Sequence, residues 1–344
     1  MAYQNVGTPR FYVNVLDWLG SNGAIQISDV FRTLPVDMDN SLSIASEDGF
    51  TAYGDKNFIA LLGHTLNSDD MHFNLTSGSM ILLSDIVNLG DSGTDNGYKP
   101  EYDGFTIATF SDEFVGMVFN VTDVTNIGSI VIGSYYDMPH SPDLKLTMTR
   151  EMDGVKRIRT KGGADLVDHK YYKPAPWGTA GAWELYSDTP PQALSRSGRR
   201  TWDLSFSYLS SKDIMGAVEL SFDSITEWTL QTPATYTLGG GTYGGTVLTG
   251  LGWDQDDIHT GTDSFLYSLL DHNDFYSQVI HKTNGGQLPF IFQPDAPRLN
   301  TSTGLYEGGD NTQFAICKFD MKSFKFEQVA NGIYNVKLKI REVW

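Results

Sequence analysis

The sequence predicts a mainly β protein of two β-sandwich domains, and three observations predict it. Aromatic residues are frequent, with 19 Phe, 17 Tyr and 7 Trp, while only 19% of residues are charged. Apolar and polar residues alternate in run after run, and a period of two places one set on each face of a strand. Between the runs lie clusters of Gly, Asn, Asp and Ser, which end strands because they supply turn conformations. A chain of 344 residues is long enough for two domains. We expect the first at 1–196, with an irregular connector at its end, and the second at 197–344. The second carries a flanking helix at 263–283 and a long Gly-rich loop or arm at 231–262.

The elements follow in order. PRFYVNVLDWL reads as an aromatic strand across 8–19, running into a Gly20-Ser21-Asn22-Gly23 turn. NFIALLGHTL (57–66) reads as a buried strand, and MILLSDIVNL (80–89), FTIATF (105–110), FVGMVFNVTDV and IGSIVIGSYYDM follow at the spacing of an antiparallel sandwich. From 138 to 197 the chain turns rich in Pro, Gly and single charges, as a connector with short strands would be. RTWDLSFSYLS (200–210) alternates again, placing Trp202, Leu204, Phe206 and Tyr208 on one face. Ser210-Ser211-Lys212-Asp213 fits the cap of a short helix. Residues 231–262 hold too much Gly for a packed core, so they read as a mobile loop or hairpin arm.

The amphipathic stretch DSFLYSLLDHNDFYSQVIHK gives the flanking helix and closes on Asn284-Gly285-Gly286. After it come a strand at Leu288-Pro289-Phe290-Ile291-Phe292 and the alternating runs FAICKFD, SFKFEQVA and YNVKLKIREVW. In the last run Tyr334, Val336, Leu338 and Ile340 form a dry face, opposite Asn335, Lys337, Lys339 and Arg341. The closing residues read as a strand built into the structure.

Charge and cysteine usage exclude several functions. A formal charge of −18 with no block of Lys or Arg disfavours sequence-independent nucleic-acid binding and anionic membranes. No signal-peptide pattern or membrane-length apolar run stands in the sequence, so the expected location is the cytosol or a particle assembled there. The single Cys317 supports neither an intrachain disulfide nor a cysteine metal site, and its strand context makes it a half-buried structural residue.

Chemical motifs are weak. The glycines from Gly239 to Gly245 lack the lysine and hydroxyl of a phosphate loop. Two acidic loops (Asp91, Asp95, Asn96 and Asp103, and Asp254, Asp256 and Asp257 with His259) break the calcium-loop register and read as solvated turn acids. The seven histidines show no H-E-x-x-H, and His64 reads as a hydrogen-bonded strand-end residue. There is no G-x-S-x-G elbow, and the acids are too numerous to single out a pair. Tyr135, Tyr136, Tyr171, Tyr172, Trp177 and Trp183 suit either stacking on sugar rings or covering a domain interface. No catalytic residue, metal ligand or cofactor is assigned, and a non-enzymatic protein is expected.

From Arg199 onward the chain resembles tail structural proteins of tailed bacteriophages, of the distal-tail and tail-tube-related kind. The resemblance rests on RRTWDLSFSYLSS, on GGQLPFIFQPD after the helix, and on SFKFEQVANGIYNVKLKIREVW with its Ile340-Arg341-Glu342 ending. Upstream, NFIALLGHTL, SIVIGSYYDM and DGVKRIRTKGGADLVDH resemble the galactose-binding-like β-sandwich that some tail proteins carry first. The resemblance implies a virion protein at the tail tip or in the tube region, forming a ring with copies of itself and joined to other tail proteins. It also implies roles in tail assembly and in host attachment or DNA passage. In such a ring the arm would augment a neighbour's sheet, through Gly239, Gly240, Gly241, Tyr243, Gly244, Gly245 and Trp253. The Gly-rich insertion at 231–262 departs from the family pattern. The rival expectation is a carbohydrate- or receptor-binding virion protein whose Tyr135, Tyr136 and Trp177 face a host surface glycan, and after it a glycan-cleaving enzyme.

Overall fold

The computed structural model describes residues 7–22, 31–37, 56–63, 72–76, 97–98, 105–110, 118–122, 126–144, 147–152, 154–169, 176–177, 180–181, 198–214, 229–238, 241–249, 273–296, 298–300, 305–307 and 314–343. The first strands are β1 (Arg10–Asn14), β2 (Phe31–Asp37), β3 (Asn57–Leu62), β4 (His72–Thr76), β5 (Gly97–Tyr98), β6 (Phe105–Phe110), β7 (Val118–Thr122) and β8 (Asn126–Asp137). Helix α1 (Val15–Ser21) follows β1. Next come β9 (Thr147–Glu151), β10 (Val155–Arg159), β11 (Asp165–His169), β12 (Pro176–Trp177), β13 (Ala180–Gly181) and β14 (Arg199–Ser210), which leads into helix α2 (Ser211–Ile214). The rest are β15 (Thr229–Leu238), β16 (Gly241–Thr249), β17 (Phe290–Gln293), β18 (Arg298–Asn300), β19 (Leu305–Glu307), β20 (Ala315–Phe319), β21 (Phe326–Ala330) and β22 (Ile333–Glu342).

The protein is mainly β, and one large antiparallel sheet organises it. Its strands run β5-β6-β3-β8-β1-β17-β20-β22-β14-β9, with β2 added on β8 and β21 on β22. Strands from both sides of residue 196 belong to this sheet. They meet at β1, which pairs with β8 on one side (Phe11 opposite Tyr136) and with β17 on the other (Phe11 opposite Phe292).

Alternation along the central strands then builds two cores. On one face Phe11 and Val13 of β1, Phe290 and Phe292 of β17 and Phe319 of β20 pack with Trp202 of β14 and Val336 of β22. On the other face Tyr12, Ile291 and Ile316 pack with Phe58 of β3 and Ile107 of β6. A strand buried on both sides is apolar along its middle, so Phe11, Tyr12 and Val13 fill the two cores, while the buried Arg10 and Asn14 at the ends of β1 meet polar partners in Asp137 and Asp17 N. Phe11 lies 5.3–6.0 Å, ring centre to ring centre, from Phe275, Phe290, Phe292 and Phe319.

A helical segment covers the first face. It is a wide π turn, Tyr276–Ile280, continued by a 3₁₀ turn, His281–Thr283. Asp274 starts it, accepting from Ser277 N at 2.8 Å. Phe275, Val279 and Ile280 point into the core. Its polar residues are buried too. Ser134 Oγ and Lys282 Nζ both donate to Gln278 Oε1, at 3.1 and 2.7 Å. The expected helix at 263–283 is thus seen in its second half, and 263–272 lie outside the described residues.

Two local expectations are corrected. The strand expected across 8–19 stops at Asn14, whose side chain accepts from Asp17 N and opens α1. Val15, Leu16 and Trp18 then bury themselves at helical rather than strand spacing. Tyr208 does not share a face with Trp202, Leu204 and Phe206. A bulge between Phe206 and Leu209 puts Tyr208 at φ 62° and 79% exposed, and Leu209 takes the core position. The four alternating residues of β22 do form a dry face, each 2% exposed or less.

Candidate functional site

The edge of the sheet formed by β9 and β14 is the most distinctive surface of the molecule. Its foundation is a buried ion pair. Arg200 Nε and Nη2 donate to Glu342 at 3.1 and 2.8 Å, Arg200 N donates to the same carboxylate at 2.8 Å, and Nη2 reaches Phe314 O at 2.7 Å. The two side chains are 7% and 3% exposed. Arg200 also lies 5.3 Å from the Trp202 ring. Bidentate geometry, with the second Nη2 proton taken by a carbonyl, is what makes a buried pair tolerable. Cys317 lies buried nearby, its thiol pushed well above the usual range by burial and then by Glu342, with Arg200 pulling the other way. It stays protonated and structural.

On this foundation sits an open edge. β9 pairs with β14, Thr201 opposite Thr149, and has no partner on its other side among the described residues. Its last residue, Glu151, is tied over β14 to Arg341, which donates at 3.1 and 2.7 Å. Gly198, at φ +73°, returns the chain to β14, where an added Cβ would lie 2.9 Å from Glu151 O. Only glycine combines that backbone with that approach.

Beyond Glu151 the chain leaves the body as a two-stranded ribbon, β10 with β11, in which Val155 faces His169 and Ile158 faces Leu166. Thr160 closes the tip, with Thr160 N donating to Ala164 O at 2.8 Å and Thr160 Oγ1 accepting from Ala164 N at 3.0 Å. Every residue of β10 is exposed. Asp165 pairs with Arg157 and Arg159, and such exposed pairs add little stability. Four of the eight large exposed hydrophobics among the described residues lie in this ribbon, Val155, Ile158, Leu166 and Val167, and two more, Leu144 and Met152, flank β9. An isolated ribbon is marginal in water, and an apolar one invites pairing.

The residues singled out in the sequence fall elsewhere. Tyr136 is 5% exposed and its hydroxyl donates to Asp213 O at 2.7 Å, so it presents no face to a glycan. Burial pushes its phenol far above the ordinary range, reinforced by Asp213, Asp274 and Asp137. Tyr135 is half-buried, with the Arg10 guanidinium 4.1 Å above its ring and Arg10 held in turn by Asp137. Trp177 lies in the short ribbon β12–β13. Gly241, Tyr243, Gly244 and Gly245 lie in β16, which hydrogen-bonds to β15 as a separate two-stranded ribbon. Gly239, Gly240, Trp253, His64, both acidic loops, Tyr171, Tyr172 and Trp183 lie outside the described residues. Tyr135 and Tyr136 are successive residues of β8 and so point to opposite faces of the sheet.

Reading the sequence missed the arm at β10–β11 and the Arg200–Glu342 pair. The arm had a signal, two β-forming runs either side of Lys161-Gly162-Gly163. The ion pair had none, because its partners are 142 residues apart. Among the described residues no three His, Cys, Asp or Glu cluster as metal ligands, and no helix is long and apolar enough to cross a membrane. No protein-family model matches the chain, and no curated protein or solved structure matches it.

Proposed function

We propose that this chain is a non-enzymatic structural subunit of a bacteriophage tail that assembles into a ring at the tail tip or in the tube region. The observation that carries the assembly reading is the exposed ribbon, with Ile158 opposite Leu166, rooted beside an open sheet edge. A surface of this kind is a liability in a lone molecule and an asset in an assembly, where an edge and an arm meet complementary faces of neighbours. The tail itself enters through the resemblance of RRTWDLSFSYLSS, GGQLPFIFQPD and the closing β22 sequence. Rings of identical subunits need two different complementary faces per subunit. The open edge with its arm offers one, and the acidic body offers the other. Copies of the chain and other tail proteins are the partners in this reading, with the virion as its location and no cofactor required.

The test is cryo-electron microscopy of purified particles together with native mass measurement of the isolated chain. The reading expects density for this chain in a closed tail ring with a fixed copy number. A chain that is monomeric in solution and absent from every ring of the particle would overturn it.

A further inference from the structure

We infer that the β10–β11 ribbon is an intersubunit arm that docks on a second copy of this chain, with the Ile158–Leu166 pair as its apolar contact. The inference rests on the assembly reading above and names the partner of that same surface.

Three observations carry it. First, the ribbon's order does not come from its own body, since every residue of β10 is exposed and the ribbon pairs with no other strand among the described residues. Second, its two faces differ. Ile158 and Leu166 stand directly opposite each other, 63% and 59% exposed, on the face that also carries Lys156 and Asp168. Arg157, Arg159 and Asp165 occupy the other face with Val155 and Val167. Directly opposed side chains on one face of a ribbon lie close enough to act as one contact.

Third, charge selects the partner. The ribbon, residues 155–169, holds Lys156, Arg157, Arg159 and Lys161 against Asp165 and Asp168, in a chain whose 24 Lys and Arg face 42 Asp and Glu. The acidic excess lies elsewhere: between residues 1 and 146, Asp and Glu outnumber Lys and Arg nineteen to five. A locally basic ribbon on an acidic molecule is complementary to a copy of that molecule, and such patterns steer and orient association. Nucleic acid fits less well, because the body that carries the ribbon repels phosphate and β11 contributes Asp165 and Asp168 to the arm.

Two experiments on the full chain decide it. Sedimentation over a concentration series compares wild type with the double variant Ile158→Asp, Leu166→Asp and with the charge variant Lys156→Glu, Arg157→Glu. The expected result is unchanged melting temperature and circular dichroism. The concentration for half-assembly rises about a hundredfold for the apolar variant, and that of the charge variant becomes insensitive to salt. In the second, an Ile158→Cys variant labelled with a thiol-reactive photocross-linker is irradiated as an equal mixture of ¹⁴N and ¹⁵N protein. Mixed-isotope cross-links to peptides of the acidic 1–146 region support the inference. Arm variants that assemble like wild type overturn it while leaving the ring reading standing. A wild-type chain that stays monomeric throughout, with only same-isotope cross-links, overturns the inference, and the ring reading falls with it only if the chain is also absent from every ring of the particle. Binding of duplex DNA that the charge variant abolishes, without self-assembly, also overturns it.

Discussion

Replacing Glu342 with Ala strips Arg200 of its carboxylate while leaving the guanidinium where water does not reach. Three hydrogen bonds from Arg200 end on that carboxylate at 2.8, 3.1 and 2.8 Å, and the arginine side chain is 7% exposed. Breaking a buried pair by removing one partner costs about 3–5 kcal/mol, most of it the uncompensated charge left behind. Against a typical stability of about 5–15 kcal/mol, that is a large fraction. The double variant Arg200→Met, Glu342→Leu removes both charges and refills the volume, so it should recover most of the loss. It still forfeits the Phe314 carbonyl contact and the approach to Trp202, which leaves a residual deficit of about 1–2 kcal/mol. Equilibrium urea unfolding, followed by tryptophan fluorescence with the slope checked for constancy, measures both numbers. A Glu342→Ala variant that loses less than about 1 kcal/mol would refute the reasoning. So would a double variant no more stable than the single one, because the cost would then lie in packing rather than in charge.

Other outcomes are expected from the same geometry. A Cβ on Gly133 would sit 2.0 Å from Val13 O; Gly133→Ala should force β8 and β1 apart and destabilise the chain by about 3 kcal/mol or more, read as a fall in melting temperature. Phe11→Ala should cost about 3–5 kcal/mol in urea unfolding, since its ring meets four other phenylalanines in a fully buried site. Burial, and then Lys282, lowers the His281 pKa below its ordinary 6.5. The unfolded chain therefore binds this proton first as pH falls, and stability should drop from about pH 7 downward until the folded pKa is passed. His281→Leu should flatten that part of the melting-temperature profile relative to wild type. Residues 197–344 expressed alone should fail to unfold cooperatively, because β17 loses β1 and Phe290, Phe292 and Phe319 lose Phe11; a sharp transition with dispersed amide resonances would show that half to be independent.

Much of the strand inventory was legible, because alternation is a local signal: the dry face of Tyr334, Val336, Leu338 and Ile340 can be read from seven consecutive letters. What alternation does not encode is which strand lies beside which. β1 joins the sheet through Arg10 opposite Gln293 and Arg10 opposite Asp137, and no periodicity within 8–19 names either neighbour. For the same reason the Ile340-Arg341-Glu342 ending was visible as a motif while the work of Glu342, holding Arg200, was not. Tyr208 was misplaced because a bulge breaks the period without any Gly or Pro to announce it. The arm shows the limit most sharply. Val155, Ile158, Leu166 and Val167 are the letters of a core strand, and a sequence writes an apolar pair meant for its own interior and one meant for a neighbour in the same way. Only exposure separates the two: in β22 the apolar set is 2% exposed or less, whereas in β10 and β11 it is 41–63% exposed. Strands with one alphabet and opposite burial, in one antiparallel β protein, are what a subunit needs if it is to finish its core with a partner.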